Sequence, residues 1–315
     1  MGTPDFAVPS LRALLQSHHR VVGVVTQPDR PRGRGRSLSP PPVKTVAQAA
    51  GVPVLQPERM KDPALYQALR DLSPEVIVVA AFGRILPPPV LEIPPHGCLN
   101  VHASLLPKYR GAAPVNWAII RGETVTGITI MRMDEGLDTG DILLQESLPI
   151  GPEETAGELS ERLAHLGAAL LLEALVKLEA GALTPTPQSH SEATYAPLLA
   201  KEDTWLDWRL PAPELVRWVR GLAPRPGAHA WLQGEPLRIL RAEAVPGEGG
   251  RPGEVVALEK EAIRVATGQG HLRLLEVHPP GKRPMPVSHY LQGHRIPVGS
   301  VLQRPPDGGQ GREPS

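Results

Sequence analysis

The stretch Cys98-Leu-Asn-Val-His-Ala-Ser-Leu-Leu-Pro107 decides the fold class of this 315-residue chain. Its first five residues are mostly apolar, and a short apolar run bounded by turn residues is typical of a buried strand. A turn with serine and proline follows at the carboxyl end of this strand, where doubly wound sheets bind their ligands. We therefore expect an α/β domain whose functional groups lie at the end of this strand.

The segments around this stretch alternate between short β-branched runs and helix-like stretches. Asp62 and Pro63 predict the start of a helix that ends at Leu72. Thr155, with Glu158 three residues later, predicts the start of a long helix. This alternation is typical of a doubly wound, mostly parallel sheet of the Rossmann-like kind. Further strands are predicted at Val21 to Thr26, Val52 to Leu55, Glu75 to Ala81 and Gly127 to Met133.

The domain organisation follows from changes in composition. Residues 1–181 are predicted to form the first domain, and residues 182–204, rich in Thr, Pro, Ser and Ala, a linker. Residues 205–302 contain short strands separated by Gly and Pro, which is typical of a small β-barrel, here of the OB-like kind. Residues 303–315 are rich in Pro and Gly, and we expect a disordered tail.

The composition excludes several classes of protein. No apolar run approaches the roughly 18 residues that a membrane-spanning helix needs. The chain begins Met1-Gly-Thr-Pro, without the basic and apolar regions of a secretory leader, so we expect a cytoplasmic protein. The single cysteine, Cys98, excludes a disulfide framework and a multi-cysteine zinc site. Its apolar surroundings favour a buried hydrophobic role over a nucleophilic one.

Charge is unevenly distributed, although 33 Lys+Arg balance 33 Asp+Glu. Residues 205–315 carry 15 basic and 11 acidic side chains, and the excess of acids lies in the first 204 residues. The stretch Asp29 to Arg36 has four arginines and two glycines, which predicts a flexible basic loop. Both features favour a polyanionic partner such as nucleic acid, and both also occur on ordinary solvated surfaces.

Polar side chains within the opening stretch form a candidate catalytic site. Asn100 and His102 are two residues apart on a strand, so both side chains point to one face. On its own this pair also fits a half-buried histidine with satisfied hydrogen bonds. The Gly-punctuated loop from Met133 to Ile142 offers carboxylates, one of which can reach the histidine. Within it, Glu135 and Asp141 are expected to be solvated turn acids.

Several motifs carry a resemblance to a known family. Asn100-Val-His-Ala-Ser-Leu-Leu-Pro-Lys-Tyr-Arg-Gly111 resembles the signature of the transferases that use 10-formyltetrahydrofolate, and Asp138 in Asp-Thr-Gly matches their catalytic aspartate. Gly2-Thr-Pro-Asp-Phe6, the stretch Thr26 to Arg36 and the β-rich second domain resemble the branch of this family that formylates methionyl-tRNA. The resemblance extends from Gly2 to about Leu302.

This resemblance implies a function. The formyl group of 10-formyltetrahydrofolate would be transferred to the amino group of methionine on initiator methionyl-tRNA, for translation initiation. We expect no metal, since no clustered His/Cys ligand set is visible. We also expect a monomer, because the sequence has no heptad repeat.

The resemblance also implies roles for individual residues. The catalytic residues would be Asn100, His102 and Asp138. The tetrahydrofolate site would be lined by Ser104, Leu105, Leu106 and Pro107. The tRNA would be contacted chiefly by Arg34, with Arg32, Arg36 and Lys44 in secondary roles.

These residue types suit the implied chemistry. A primary amine that attacks a formyl carbon produces a tetrahedral intermediate, whose oxyanion requires hydrogen-bond donors such as an amide and an imidazole N–H. A carboxylate is able to orient the imidazole and to accept the proton of the amine through a water molecule.

Two alternative functions remain open at this point. Formylation of an amino-sugar nucleotide would use the same Asn-x-His, Ser-Leu-Leu-Pro and Asp residues but would leave the arginine loop without a role. A non-catalytic RNA-binding module would explain the loop and the barrel but not the joint presence of Asn100, His102 and Asp138.

The start of the sequence differs from that of relatives. Relatives have a short apolar strand before the segment that matches Gly2-Thr-Pro, and Met1 stands in its place here. In a doubly wound sheet that strand is usually central, so its two neighbours would have unpaired backbone groups. We expect either a natural start upstream or a chain of low stability.

Overall fold

The computed structural model describes residues 1–32 and 37–305, which form two compact units. The first comprises Met1–Val115, Val125–Pro149 and Leu159–Pro197. The second comprises Asn116–Thr124, Ile150–Glu158 and the chain from Leu198 onward. Much of the expected linker, up to residue 197, thus belongs to the first unit, and two short earlier segments belong to the second.

The described residues form helices and short strands in alternation. The helices are α1 (Val8–Gln16), α2 (Pro42–Ala49), α3 (Pro63–Leu72), α4 (Pro88–Leu91), α5 (Pro114–Ile120), α6 (Ala156–Glu179), α7 (Ala212–Leu222) and α8 (Val287–Gly293). The strands are β1 (Val24–Val25), β2 (Arg30–Arg32), β3 (Ser37–Ser39), β4 (Val54–Leu55), β5 (Ile77–Val79), β6 (Cys98–His102), β7 (Val125–Arg132), β8 (Ile142–Pro149), β9 (Ala228–Leu232), β10 (Glu235–Val245), β11 (Val255–Leu258), β12 (Ile263–Ala266), β13 (His271–His278) and β14 (Met285–Pro286).

The first unit is a mixed α/β structure. Strands β1 and β4 form a parallel pair, and a second sheet has the order β5-β6-β7-β8. Within it β5 and β6 are parallel, whereas β7 and β8 run antiparallel. The predicted parallel arrangement is confirmed for the strands that precede the candidate site, and the last two strands form an antiparallel extension of it.

Helix capping follows the sequence signals. The Asp62 carboxylate accepts a hydrogen bond from the Ala64 backbone N–H at the start of α3. Before α6, the Thr155 N–H donates to Glu158 at 2.9 Å, and the Glu158 N–H donates to the Thr155 hydroxyl at 3.3 Å. These bonds satisfy backbone donors that the helix itself leaves free. The hydrogen bonds that the Thr155 backbone N–H and then its hydroxyl donate to the Glu158 carboxylate hold the pKa of that carboxyl below its usual value.

Helix α6 packs closely on the sheet that carries the candidate site. Its Leu163 and Leu171 side chains are fully buried. A Cβ atom at Gly167 would lie 2.7 Å from the Val101 side chain, so the absence of a side chain permits the close approach to β6. Although α6 has 24 residues, no helix in the described part of the chain is long and apolar enough to cross a membrane.

Met1 and Gly2 connect two sheets of the first unit, the β1–β4 pair and the sheet that contains β5. The Gly2 N–H donates to the Val25 carbonyl at 3.1 Å, and the Ala80 N–H donates to the Met1 carbonyl at 2.9 Å. A cavity of about 440 Å³ lies between β1 and β5, lined by residues of both. Among the described residues, β1 and β5 do not pair with each other. Met1 and Gly2 also line this cavity.

The second unit contains an antiparallel sheet of six strands. Its order is β11-β12-β13-β10-β9, and β14 also pairs with β13. Outside this sheet, Val301 forms a bridge to Glu254 and Gln303 one to Trp231. Gln303, which the sequence assigns to a disordered tail, therefore contacts the sheet, while residues 306–315 lie outside the described range. The described pairings form an antiparallel β domain without a fully hydrogen-bonded barrel.

Candidate active site

Strand β6 presents the two polar side chains of the opening stretch. Its register is fixed by parallel pairing with β5 and antiparallel pairing with β7, in which Asn100 lies opposite Met131 and His102 opposite Thr129. The His102 side chain is only 5% exposed. Period-two geometry places Asn100 on the same face. The strand thus brings an amide and an imidazole together, as predicted.

Asp138 reaches both side chains from the loop between β7 and β8. One carboxylate oxygen accepts a hydrogen bond from the Asn100 amide at 3.3 Å, and the other lies 3.6 Å from His102 Nδ1. The second oxygen also accepts a hydrogen bond from the Gly111 N–H at 2.8 Å. Asp138 has a φ of +52°, in the left-handed region that aspartate tolerates better than most residues. Three residues from the stretch 100–111 therefore meet at the carboxylate of a residue from a separate loop.

The surroundings of His102 determine where one ring hydrogen lies. Nε2 is 3.0 Å from the Tyr109 carbonyl oxygen, which only accepts hydrogen bonds. Nε2 therefore carries a hydrogen and donates it to Tyr109. The opposite nitrogen, Nδ1, faces the Asp138 carboxylate and forms an ion pair with it when the ring is protonated.

The segment from Ser104 to Pro107 leaves β6 directly beside this cluster. Thr129 holds it in place, because its hydroxyl donates to the Ser104 carbonyl at 2.7 Å and accepts from the Leu106 N–H at 3.1 Å. The Gln145 amide donates to the Leu106 carbonyl at 2.8 Å. Leu105 and Pro107 are half-buried, whereas Ser104 and Leu106 are buried. The four residues predicted to contact a folate thus form one anchored segment next to the cluster of Asn100, His102 and Asp138.

Sequence reasoning missed two residues that support this cluster. Arg110 is 2% exposed, and its guanidinium donates two hydrogen bonds to the side-chain oxygen of Gln188, at 3.1 and 2.7 Å. The amide of Gln188 in turn donates to the carbonyls of Asp138 and Gly140. Gln188 lies in the segment predicted as a linker, and no local sequence pattern indicated these long-range contacts.

The predicted tRNA-contacting residues are only partly described by the structure. Arg34 and Arg36 lie outside the described residues, and Arg32 ends strand β2, which pairs with β3. The Lys44 ammonium forms an ion pair with Asp29 at 2.8 Å. Hydrogen bonds from the Gln56 amide and from Lys44 hold the pKa of the Asp29 carboxyl below its usual value. The structure thus places Lys44 against an acidic partner at the base of the basic stretch.

Cys98 is buried as expected, and the two expected turn acids differ in exposure. Cys98 is 1% exposed, and burial raises the pKa of its thiol to about 12, which fits a buried hydrophobic role. Glu135 is exposed, in keeping with a solvated turn acid, whereas Asp141 is half-buried.

One group of potential metal ligands is present in the described part of the chain. His18, His19 and Glu179 have ligand atoms within 4.8 Å of one another. Both imidazoles contact the Glu179 carboxylate, at 3.1 and 3.2 Å. The group joins the segment after α1 to the end of α6, and none of its members belongs to the candidate active site.

Comparison with known proteins identifies relatives along nearly the whole chain. The model of the formyl transferase family matches residues 1–175, and that of the formyl transferase C-terminal domain matches residues 198–295. A methionyl-tRNA formyltransferase of Syntrophus aciditrophicus is 51% identical over 306 residues, which are 96% of this chain and 97% of that protein. A methionyl-tRNA formyltransferase of Synechococcus is 52% identical over 317 residues, covering 97% of this chain and 98% of that protein.

Solved structures share the fold at lower identity. An N-formyltransferase from Helicobacter canadensis, in complex with folinic acid and dTDP-3-aminofucose, has a TM-score of 0.65 at 18% identity, over 88% of this chain and 97% of that chain. HypX from Aquifex aeolicus, in complex with tetrahydrofolic acid, has a TM-score of 0.61 at 22% identity, over 85% of this chain and 46% of that chain.

Proposed function

The chain belongs to the methionyl-tRNA formyltransferase family, and on this premise we propose that it transfers the formyl group of 10-formyltetrahydrofolate to the amino group of methionine on initiator methionyl-tRNA. The observation that carries the proposal most directly is the convergence of Asn100 and His102 on the Asp138 carboxylate. Because the acceptor is a tRNA used in translation initiation, we place the reaction in the cytoplasm. A single chain supplies all three residues, so we propose a monomer.

Asn100 and His102 stabilise the negative charge of the tetrahedral intermediate. The Asn100 amide has two hydrogens, and the contact with Asp138 uses one of them. When the His102 ring is protonated, Nδ1 also carries a hydrogen, and because Nδ1 lies 3.6 Å from Asp138, too far for a tight hydrogen bond, this N–H is available to the substrate oxygen. Each such donor typically lowers the barrier by about 2.7–4 kcal/mol.

Asp138 handles the proton of the attacking amine. The folate co-substrate supplies an electrophilic formyl carbon, to which the methionine nitrogen forms a bond. Asp138 accepts a proton from that nitrogen through a water molecule. When the bond between the formyl carbon and the folate nitrogen breaks, the departing nitrogen takes up a proton by the same relay. No net proton or electron is gained or lost in the transfer.

The segment Ser104 to Pro107 supplies the folate side of the site. Its backbone is fixed by Thr129 and Gln145, so the co-substrate meets a surface that is already ordered. A preordered surface reduces the entropy that is lost on binding. We assign the binding of tetrahydrofolate to this segment.

The basic stretch supplies the tRNA side. Guanidinium groups form bidentate hydrogen bonds with phosphates and contact base edges, which suits the acceptor stem of a tRNA. We assign the main contact to Arg34 and secondary contacts to Arg32, Arg36 and Lys44. The Lys44–Asp29 ion pair makes Lys44 the weakest of these four assignments.

A transfer assay tests donor and acceptor together. Formyl transfer from 10-formyltetrahydrofolate is measured with charged initiator tRNA and, separately, with an amino-sugar nucleotide. We expect transfer to the tRNA and a fall of about 5- to 150-fold in kcat/KM for Arg34→Ala, the effect of losing a contact of about 1–3 kcal/mol. Arg70→Ala, an exposed arginine on α3, is the matched control. Transfer to the sugar alone would overturn the acceptor, and transfer to neither would overturn the enzymatic function.

A further inference from the structure

Gln188 connects two loops that meet at the candidate active site. Its side chain is 7% exposed and lies nine residues beyond the end of α6. On one side its oxygen accepts two hydrogen bonds from the Arg110 guanidinium. On the other side its nitrogen donates to the Asp138 carbonyl at 2.9 Å and to the Gly140 carbonyl at 2.7 Å. All four side-chain bonds of this amide therefore lie within one buried network.

The neighbours of the Gln188 amide define its orientation. A guanidinium only donates hydrogen bonds, and a backbone carbonyl only accepts them. In the opposite orientation, the amide nitrogen would face the Arg110 donors and the amide oxygen would face two carbonyls. The observed orientation satisfies every partner, so the network has a single arrangement.

The carbonyls that Gln188 binds belong to the backbone that aims the Asp138 carboxylate. Asp138 has a left-handed backbone, a conformation that a folded protein retains when surrounding contacts hold it. Anchoring the carbonyls on both sides of Thr139 fixes this turn. The carboxylate oxygen then receives the Gly111 N–H on one side and faces His102 on the other.

The segment after α6 that carries Gln188 also holds the loop that follows β6. The Arg110 N–H donates to the Thr194 carbonyl at 2.8 Å, and the Ala196 N–H donates to the Arg110 carbonyl at 2.7 Å. Gly111 has a φ of +119°, and a Cβ atom there would lie 2.7 Å from the Ala196 carbonyl oxygen. The segment after α6 therefore contacts both the backbone of the Asp138 loop and the loop that carries Gly111, whose N–H binds the Asp138 carboxylate.

We propose that Gln188, held by Arg110, is a positioning residue that sets the orientation of the Asp138 carboxylate toward Asn100 and His102. This inference rests on the proposed formyl transfer, and it extends that function to a residue outside the catalytic cluster. The Gln188 side chain itself contacts Arg110 and two backbone carbonyls and none of the reacting atoms. It acts on the rate of the chemical step through the geometry of Asp138.

The variant Gln188→Glu tests this role with little change in shape. Glutamate keeps an oxygen for the Arg110 guanidinium but replaces the N–H donors with an oxygen that repels the two carbonyls. Gln188→Ala removes both halves of the contact. Gln48→Glu, an exposed residue on α2, is the matched control for the added charge.

Two readouts are measured on the full chain. In steady-state kinetics we expect kcat to fall about 10- to 100-fold in Gln188→Glu, as for a misplacement of about 1 Å, with KM for the tRNA changed less than about twofold. In amide hydrogen exchange we expect the Gly111 N–H, which bonds to Asp138, to lose protection in Gln188→Glu and to keep it in Gln48→Glu.

The two readouts separate this inference from the proposed function. Loss of Gly111 protection supports the positioning role even if the wild-type chain transfers no formyl group. Unchanged Gly111 protection in both Gln188 variants would overturn the role, whatever the activity. A change in KM alone, with kcat unaffected, would also overturn it. Melting temperatures of both variants identify any global loss of folding, and the exchange of amides in the second unit provides the internal reference.

Discussion

At the scale of single residues, the candidate site depends on how one carboxylate is shared. The two oxygens of Asp138 serve Asn100, Gly111 and His102, which lie 27 to 38 residues earlier in the chain. The spacing of Asn100 and His102 on a strand was enough to predict that they share a face. Their meeting with Asp138 depended on the family motif, because no local pattern distinguishes Asp138 from the other acids of its loop.

Replacement of the histidine tests whether this cluster performs chemistry. In His102→Ala we expect formyl transfer to fall at least about 100-fold, because an oxyanion donor and the imidazole next to Asp138 are both lost. Affinity for tRNA should change less than about twofold, since the imidazole is buried and offers little surface to a tRNA. The measurements are single-turnover transfer and filter binding.

The matched control is His165→Ala, which removes an exposed histidine on α6. A His102→Ala protein that melts normally and keeps wild-type turnover would contradict the catalytic assignment. Equal loss of activity and tRNA binding would point to a role in folding or in tRNA contact instead.

At the scale of elements, local signals predicted α3 and the start of α6 and located five strands of the first unit, and they left other helices and strands unpredicted. The caps at Asp62 and Thr155 depend on neighbouring residues, and α3 ends at Leu72 as predicted. Strand β8 was missed, because its pairing with β7 is a contact between distant residues. The segment after α6 was interpreted as a linker for the same reason, although Thr186 pairs with Ile142 and Gln188 anchors the catalytic loop.

The capping box of α6 gives a prediction for stability. Thr155→Ala removes the hydroxyl that accepts the Glu158 N–H, and we expect a loss of about 1 kcal/mol in the free energy of unfolding. Glu161→Ala, at an exposed position on the same helix, should change stability by less than about 0.5 kcal/mol. Urea denaturation followed by circular dichroism measures both, and equal effects of the two variants would contradict a specific cap.

Strand β9 contains a histidine that makes stability depend on pH. Burial, and then the nearby Arg238 charge, lowers the pKa of His229 below its ordinary value of 6.5. The unfolded chain therefore binds a proton more readily than the folded one below pH 6.5. The contribution of neutral His229 to the free energy of unfolding is fully present above pH 6.5. It is lost as the pH falls through the lower pKa that His229 has in the folded chain.

Urea melts between pH 7.5 and 5.0 measure this dependence. We expect the unfolding free energy to decrease toward pH 5.0 in the wild type and to decrease less in His229→Gln, which carries no titrating group there. His289→Gln, an exposed position on α8, serves for comparison. If His229→Gln and the wild type have parallel pH profiles, His229 is not the source of the acid sensitivity.

At the scale of the whole molecule, charge separates the two halves of the chain. The residues after 204 carry an excess of basic side chains, and the earlier residues an excess of acidic ones. Composition alone indicated this asymmetry, and the described residues form two compact units whose boundaries differ from the predicted domain boundaries. The sequence did not predict that Asn116–Thr124 and Ile150–Glu158 belong to the second unit, because this assignment depends on tertiary packing.

The basic second half predicts strong salt dependence of tRNA binding. Each neutralised phosphate releases counterions, so we expect affinity for tRNA to fall at least about tenfold between 50 and 200 mM monovalent salt. Tetrahydrofolate binding involves few charges and should change only slightly over the same range. Isothermal titration of both ligands across the salt series measures this, and a flat profile for tRNA would contradict electrostatic binding.

The position of Gln188 along the chain has a consequence for biosynthesis. Asn100, His102 and Asp138 leave the ribosome well before Gln188 does, so a nascent chain holds all three proposed catalytic residues before it holds the residue that we propose orients Asp138. The contact between Arg110 and Gln188 spans 78 residues and forms only after α6 has been synthesised. A chain terminated before residue 188 therefore contains Asn100, His102 and Asp138 but lacks the side chain that we propose orients Asp138.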